Sequence, residues 1–99
     1  METYILAPEA LQDLQDVWDF IAIDNPEAAT RVQEERFEAF EGLVRMPGKG
    51  HQRRDLTDKR VLFFNVRSYL VVYRPDTTPL QIVGILQGAR DIPSVLRER

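Results

Sequence analysis

Arginines dominate the residues of this sequence that could carry out chemistry. Between positions 42 and 99, nine of the eleven basic residues are arginines, and only Lys49 and Lys59 are lysines. A guanidinium makes planar, bidentate contacts with carboxylates and phosphates, so this preference favours specific pairing over diffuse positive charge. The arginines that the predicted sheet could present to a phosphate are Arg53, Arg54, Arg67, Arg74 and Arg90.

Such cations could support metal-independent cleavage of RNA through the 2′-hydroxyl. That reaction needs a general base, a general acid and cations that stabilise the phosphorane. Tyr69, Tyr73 or His51 could stack on bases or move protons. Alternatively, the arginines pair with acidic helices or rim the sheet in solvent, where ion pairs contribute little to stability. The sequence leaves both interpretations open.

Other catalytic classes lack their residues. His51 is the only histidine and there is no cysteine, so a zinc site is not expected. Neither Ser68 nor Ser94 has the context of a nucleophile elbow, and "PGKG" at 47–50 lacks the spacing of a phosphate-binding loop. The sequence therefore predicts no metal and no cofactor.

Charge is divided unevenly along the chain. Residues 1–41 carry eleven acids and two bases, whereas residues 42–99 carry eleven bases and five acids, for a net charge of −3. The negative total argues against a general nucleic-acid binder. Either an acidic helical face and a basic sheet face attract each other within one domain, or the basic side takes an anionic partner.

The length of 99 residues predicts a single domain, 1–99, with one core. No apolar run approaches the roughly 20 residues of a membrane helix, and the acidic start "METYIL" does not resemble a signal peptide. With no cysteine, the composition fits a cytoplasmic protein without a membrane partner.

Two amphipathic helices are predicted, one over 7–24 and one from Asn25 to about Arg45. Asn25 and Pro26 provide the cap and first residue of the second helix, and so short a link predicts an antiparallel helical hairpin. The first apolar stripe is Leu11, Leu14, Val17, Trp18 and Ile21, and the second is Ala29, Val32, Phe37, Phe40, Leu43 and Val44. The acidic rows, Asp13, Asp16 and Asp19 in the first helix and Glu34, Glu35, Glu38 and Glu41 in the second, are predicted to face solvent.

Strands are predicted before and after the helices. Residues 3–6 read as a first strand, and "HQRRDL" at 51–56 as a short edge strand. The remaining strands are 60–66, 69–74 and 80–87, with a tight turn at Arg67-Ser68, while the tail from Asp91 holds one helical turn. Gly84 inside the last strand indicates a bulge or a close approach by another group. The order β-α-α-β-β-β-β predicts an α+β fold with a mostly antiparallel sheet.

A set of short motifs gives the chain a family resemblance. "APEALQDL" opens the first helix, "NPEAATR" joins the helices, "SYLVVYR" forms a central strand, and "GARD" follows the last strand. In this order and spacing, over nearly the whole chain, the sequence resembles the RelE/ParE superfamily of toxins from type II toxin–antitoxin modules, of plasmid or chromosomal origin. The resemblance implies the same α+β fold and a cognate antitoxin.

The resemblance points to the ParE-like branch, whose members inhibit DNA gyrase. RelE-like members instead cut mRNA on the ribosome, and a histidine often precedes their "G-x-R-D" motif. Gln87 stands at that position here, and glutamine cannot exchange a proton near neutral pH. The alternatives are a ribosome-dependent endoribonuclease that uses Arg53, Arg54, Arg67 and Arg90, and a non-toxic binding module.

Contacts with an antitoxin or target are expected from two groups of residues. Phe20 and Ile23 lie off the main stripe of the first helix, so they either contact a partner or are covered by the chain itself. Arg67, Arg74 and Arg90 could receive carboxylates of a partner as bidentate pairs.

Overall fold

The computed structural model describes residues 3–87 and 91–99. Strand β1 (Tyr4–Leu6) is followed by helices α1 (Pro8–Asp24) and α2 (Pro26–Arg45). After a short 3-10 turn at Pro47–Lys49 come β2 (Leu62–Val66), β3 (Tyr69–Arg74), β4 (Leu80–Gln87) and helix α3 (Ile92–Arg97). The predicted helical hairpin and strand order fit this arrangement, except for the edge strand predicted at 51–56.

The strands form one sheet in the order β1-β4-β3-β2. The β2–β3 and β3–β4 pairs are antiparallel, and β1 pairs in parallel with β4. The predicted α+β class with a mostly antiparallel sheet is confirmed. The edge strand predicted at 51–56 reduces to one bridge between His51 and Phe63, because this polar segment lacks the alternating apolar residues that would bury one face.

The helix junction follows the predicted chemistry. The Asn25 N–H donates to the Ile21 carbonyl at 2.9 Å and so closes α1. The Asn25 Oδ1 then accepts from the Ala28 N–H at 3.0 Å and caps α2, while Pro26 occupies its first position. A single residue therefore ends one helix and starts the next.

Apolar side chains cover both faces of the sheet. Helices α1 and α2 pack on one face through Leu14, Phe40 and Leu43 against residues such as Val71 and Ile85. On the other face, α3 packs through Ile92 and Leu96 onto another cluster that holds Phe63, Val72, Val83 and Leu86. The tail helix thus covers apolar strand residues that could otherwise have faced a partner.

Two members of the predicted helical stripes are exposed, whereas Trp18, Ile21, Val32 and Val44 are half-buried. The exposed two are Leu11 and Phe37. Each residue turns a helix by about 100°, which places Phe37 well away from the axis of the stripe that runs through Ala29, Phe40 and Leu43. Leu11 is displaced in the same way from the buried line of Ala10, Leu14 and Val17.

A buried tyrosine ties the segment after α2 to the sheet. The hydroxyl of Tyr73, in β3, donates to the Pro47 carbonyl at 2.7 Å and accepts from the Gly50 N–H at 2.9 Å. A Cβ at Gly50 would lie 2.7 Å from that hydroxyl and 2.8 Å from the Phe63 carbonyl oxygen. Glycine is therefore required where the backbone approaches Tyr73 so closely.

Tyr73→Phe should lower the free energy of unfolding by about 2 kcal/mol, because it removes two part-buried hydrogen bonds that each contribute about 1 kcal/mol. Urea denaturation measures the change. Tyr69→Phe is the matched control, since the Tyr69 hydroxyl makes no hydrogen bond to a described residue; equal losses in both variants would contradict the role given to Tyr73.

Candidate interaction site at the turn end of the sheet

The tight turn between β2 and β3 holds one of the predicted arginines. Arg67 and Ser68 alone separate Val66 from Tyr69. Arg67 has a φ of 56°, in the left-handed region that such hairpin turns require and that glycine or asparagine usually fills. The strained backbone places the Arg67 side chain toward α2.

Arg67 is paired with a carboxylate of the helical hairpin. Its Nε and Nη2 donate to the two carboxylate oxygens of Glu35 at 2.7 and 2.5 Å. These bonds hold the pKa of Glu35 below its ordinary value of 4.5 and raise that of Arg67. The pair joins α2 to the turn. Pairing of arginines with the acidic helices was one of the two interpretations that the sequence left open. Glu35 is therefore only half-exposed, which corrects the prediction that it faces solvent with the rest of its acidic row.

Arg36, the next residue of α2, is a functional candidate that sequence reasoning missed. It is 1% exposed, and its guanidinium carbon lies 4.5 Å from the centre of the Tyr69 ring. Its position carried a signal, because Arg36 is four residues from both Val32 and Phe40 and so lies on the axis of the apolar stripe. Burial lowers the pKa of Arg36.

Tyr69 borders two surface depressions. One, of about 290 Å³, is lined by Arg53, Arg67, Ser68 and Tyr69 among others. The second is a groove of about 130 Å³ between α1 and the end of β4, with Asp16, Phe20, Tyr69 and Gln87 in its walls. The site therefore joins a basic depression to a groove with apolar and acidic walls.

The structure brings together only some of the predicted arginines. Arg53 shares the basic depression with Arg67, but its guanidinium already bonds the Asp55 carboxylate at 3.0 and 2.8 Å. Arg54 borders a neighbouring depression of about 400 Å³. Arg74 lies at the other end of β3, roughly 17 Å from Tyr69 at strand spacing, and its Nε donates to Gln81 at 2.8 Å. Arg90 lies outside the described residues.

The two off-stripe apolar residues of α1 are exposed. Phe20 is 72% exposed and forms a wall of the groove, and Ile23, one turn further on, is 82% exposed. Neither is covered by the described part of the chain. Asp16 and Asp19 flank them on the same face and accept hydrogen bonds from Gln12 and Gln15.

Asp13 corrects the prediction that this acidic row faces solvent. It is 6% exposed, and its Oδ2 accepts from the Ile85 N–H at 3.0 Å and from Arg99 Nη1 at 2.6 Å. Strand β1 pairs only with Leu80–Ile82, so Ile85 lies in the half of β4 that has no strand on that side. The carboxylate takes the place of the missing strand, because a buried strand N–H needs an acceptor.

Arg99 completes this arrangement. Its Nη2 donates to Asp13 Oδ1 at 3.1 Å, and its Nη1 approaches the Val83 carbonyl oxygen at 3.3 Å. A Cβ at Gly84 would lie 2.6 Å from Arg99 Nη1, and the β3–β4 register shifts beside Gly84. The prediction for this glycine, a bulge or a close approach by another group, is confirmed.

Residues 3–87 and 91–99 contain no group of three or more His, Cys, Asp or Glu side chains that could hold a metal ion. Within the same ranges, no helix combines the length and apolar character needed to cross a membrane.

The fold places the chain among small α+β proteins in which a helical hairpin packs on an antiparallel sheet. A chain of the chromosomal ParDE toxin–antitoxin system from P. aeruginosa shares it, with a TM-score of 0.71 and 19% identity, over 88% of this chain and 96% of that chain. The model of the ParE toxin family, of the type II toxin–antitoxin system parDE, matches residues 4–92. No curated protein matches.

Because that family match spans most of the sequence, the chain belongs to the ParE toxin family. The resemblance expected from the motifs is confirmed, including its ParE-like branch. Membership in this family implies a cognate antitoxin as a partner.

The Glu35–Arg67 pair should make stability depend on pH. Because the pKa of Glu35 is lowered in the folded protein, its contribution is complete above the ordinary pKa of 4.5 and is lost as the pH falls through the lowered value. Glu35→Gln should therefore be less stable than the unsubstituted protein at neutral pH and equally stable in strong acid. Urea denaturation across this range tests it, with Glu38→Gln as control; a pH-independent difference would contradict it.

Asp13→Ala should lower the free energy of unfolding by about 3 kcal/mol, because it leaves the Arg99 guanidinium and the Ile85 N–H without their acceptor. Asp16→Ala, three residues further along α1, is the control and should change it by no more than about 0.5 kcal/mol. Thermal or urea denaturation gives both values. Similar losses at the two positions would show that the buried pair has no special role.

Proposed function

We propose that this chain inhibits DNA gyrase and is neutralised by its cognate antitoxin. Membership in the ParE family carries this proposal. The geometry supports a protein-binding role, because Arg53 and Arg67 are engaged by the chain's own carboxylates and Gln87 offers no proton to exchange. We also propose that residues 1–99 act as one toxin domain, and that it works in the cytoplasm, where gyrase and DNA are.

The proposed contact surface for gyrase is the exposed face of α1. Phe20 and Ile23 present apolar area in two adjacent helical turns, and large exposed apolar side chains are typical of binding surfaces. Asp16 and Asp19 lie beside them, and Phe20 also walls the groove that reaches Tyr69. Arg67, Arg74 and Arg90 remain the proposed positions for contacts with partner carboxylates.

A second candidate function is ribosome-dependent cleavage of mRNA. The observation that favours it is the basic depression, in which Arg53, Arg67 and Tyr69 lie together. Its cations would have to leave Asp55 and Glu35 before they could contact a phosphate. A third candidate is a non-toxic binding module, favoured if induced expression leaves growth unchanged.

Purified protein should block negative supercoiling of plasmid DNA by gyrase, and addition of the antitoxin should restore it. The double variant Phe20→Ala/Ile23→Ala should weaken inhibition at least about tenfold, because the truncation of even one hot-spot side chain costs about 2 kcal/mol or more and about 1.4 kcal/mol is a factor of ten. Leu11→Ala is the matched control, since Leu11 is also exposed on α1 but lies toward another face.

Full gyrase activity at saturating protein would refute the gyrase proposal. Codon-specific mRNA cuts in a translating extract, abolished by Arg53→Ala or Arg67→Ala, would establish the RNase candidate instead. Inhibition that is equally strong in the double variant would keep gyrase as the target but move the contact surface away from Phe20 and Ile23.

A further inference from the structure

The buried guanidinium of Arg36 is the least satisfied polar group of the described chain. All three of its nitrogens are buried, and none has a hydrogen-bond partner among the described residues. An unpaired buried charge destabilises a protein by several kcal/mol, and native structures rarely keep one without a reason. A guanidinium also keeps its proton, so Arg36 cannot become neutral to relieve this cost.

Near Arg36, guanidiniums outnumber carboxylates by one. The Arg36 guanidinium has one carboxylate near it, that of Glu35, and a second guanidinium, that of Arg67. Glu35 is bound by Arg67 through both oxygens. The Tyr69 ring gives Arg36 partial compensation, because the face of an aromatic ring attracts a cation.

Packing alone does not explain the arginine. Its neighbours on the stripe of α2 are Ala29, Phe40 and Leu43, all buried. An apolar side chain of similar volume would fill the same space without the cost of desolvating a charge. The position therefore keeps a charge where stability alone favours a methionine or a leucine.

We propose that Arg36 is the receptor for a carboxylate carried by a peptide segment of the antitoxin, with the Tyr69 ring as its movable cover. This inference rests on the proposed antitoxin complex and names a contact within it. A glutamate or aspartate side chain would pair with Arg36 through two parallel N–H···O bonds, as Glu35 does with Arg67. The second carboxylate completes the charge balance of the turn.

Tyr69 provides the route to this receptor. It is the first residue of β3, is half-buried, and borders both the basic depression and the groove. Its hydroxyl makes no hydrogen bond to a described residue, so packing and the cation–π contact alone hold the ring over Arg36. Rotation of the ring therefore breaks no hydrogen bond within the described chain.

A peptide carboxylate fits this site better than a nucleic-acid phosphate. Asp16 lines the groove beside Tyr69, and its carboxylate bonds Gln12 rather than a cation. This uncompensated acid repels a polyanionic backbone. A single carboxylate on an apolar segment avoids most of that repulsion and can place its apolar neighbours against Phe20.

The test compares Arg36→Met, Arg36→Lys and the control Arg31→Met, which removes an exposed charge from the same helix. In the free protein, Arg36→Met should be at least as stable as the unsubstituted chain, since it removes a buried unpaired charge. Calorimetric titration with the antitoxin encoded beside the gene should show binding about 100-fold weaker for Arg36→Met and unchanged for Arg31→Met. Arg36→Lys should fall between them, because it keeps the charge without the planar fork.

A scan that changes each acidic residue of the antitoxin to its amide then identifies the partner carboxylate. One of them, changed to its amide, should weaken binding to the unsubstituted chain but not to Arg36→Met. Unchanged affinity of a folded Arg36→Met variant would overturn the inference and leave the antitoxin complex standing. If the unsubstituted chain does not bind the antitoxin, both this inference and the proposed antitoxin complex are overturned. If Arg36→Met loses binding to single-stranded RNA but keeps its affinity for the antitoxin, Arg36 is assigned to a phosphate instead.

Discussion

The structure depends on the burial of the helical hairpin against β3 and β4. That interface removes Leu14, Phe40 and Leu43 from water, and burial of apolar surface is the main favourable contribution to folding. It also buries two ionisable side chains, Asp13 on α1 and Arg36 on α2. The chain neutralises the first with Arg99, whereas the second has no carboxylate among the described residues.

This difference divides the molecule into two functional parts. Around Asp13, the carboxylate, Arg99 and Gly84 close the half of β4 that β1 leaves open, and they connect the residue that follows α3 to the first helix. Around Arg36, the turn at Arg67, the Tyr69 ring and the exposed Phe20 form a surface with uncovered apolar area above a buried, unpaired charge. The first part stabilises the fold, and the second offers a partner an unpaired charge and exposed apolar side chains to contact.

Local signals predicted the elements well, because each is encoded by adjacent residues. Asn25-Pro26 specifies the helix junction, the two-residue link Arg67-Ser68 specifies the hairpin, and Gly84 specifies a close approach within β4. The motifs likewise identified the family. Residues 51–56 misled the prediction, since a strand needs a neighbour and a buried face as well as local preference.

The charged groups were harder to predict, because their roles depend on distant residues. Asp13 is buried by Arg99, 86 positions along the chain, which helical periodicity cannot reveal. Arg36 lies on the axis of the apolar stripe of α2. A stripe defined by apolar residues alone leaves out Arg36 and includes Phe37. Arg67 and Arg53 were identified by residue type, while their pairing with Glu35 and Asp55 required the three-dimensional structure.

The central claim, that this ParE-family chain acts on gyrase, is tested most directly by trapping gyrase on DNA in cells. After induced expression, denaturing lysis and recovery of chromosomal DNA, the gyrase subunit that cleaves DNA should be covalently attached to it. Co-expression of the antitoxin should abolish that signal. Growth arrest with neither covalent gyrase–DNA complexes nor loss of supercoiling, or with complexes that persist in the presence of the antitoxin, would contradict the account.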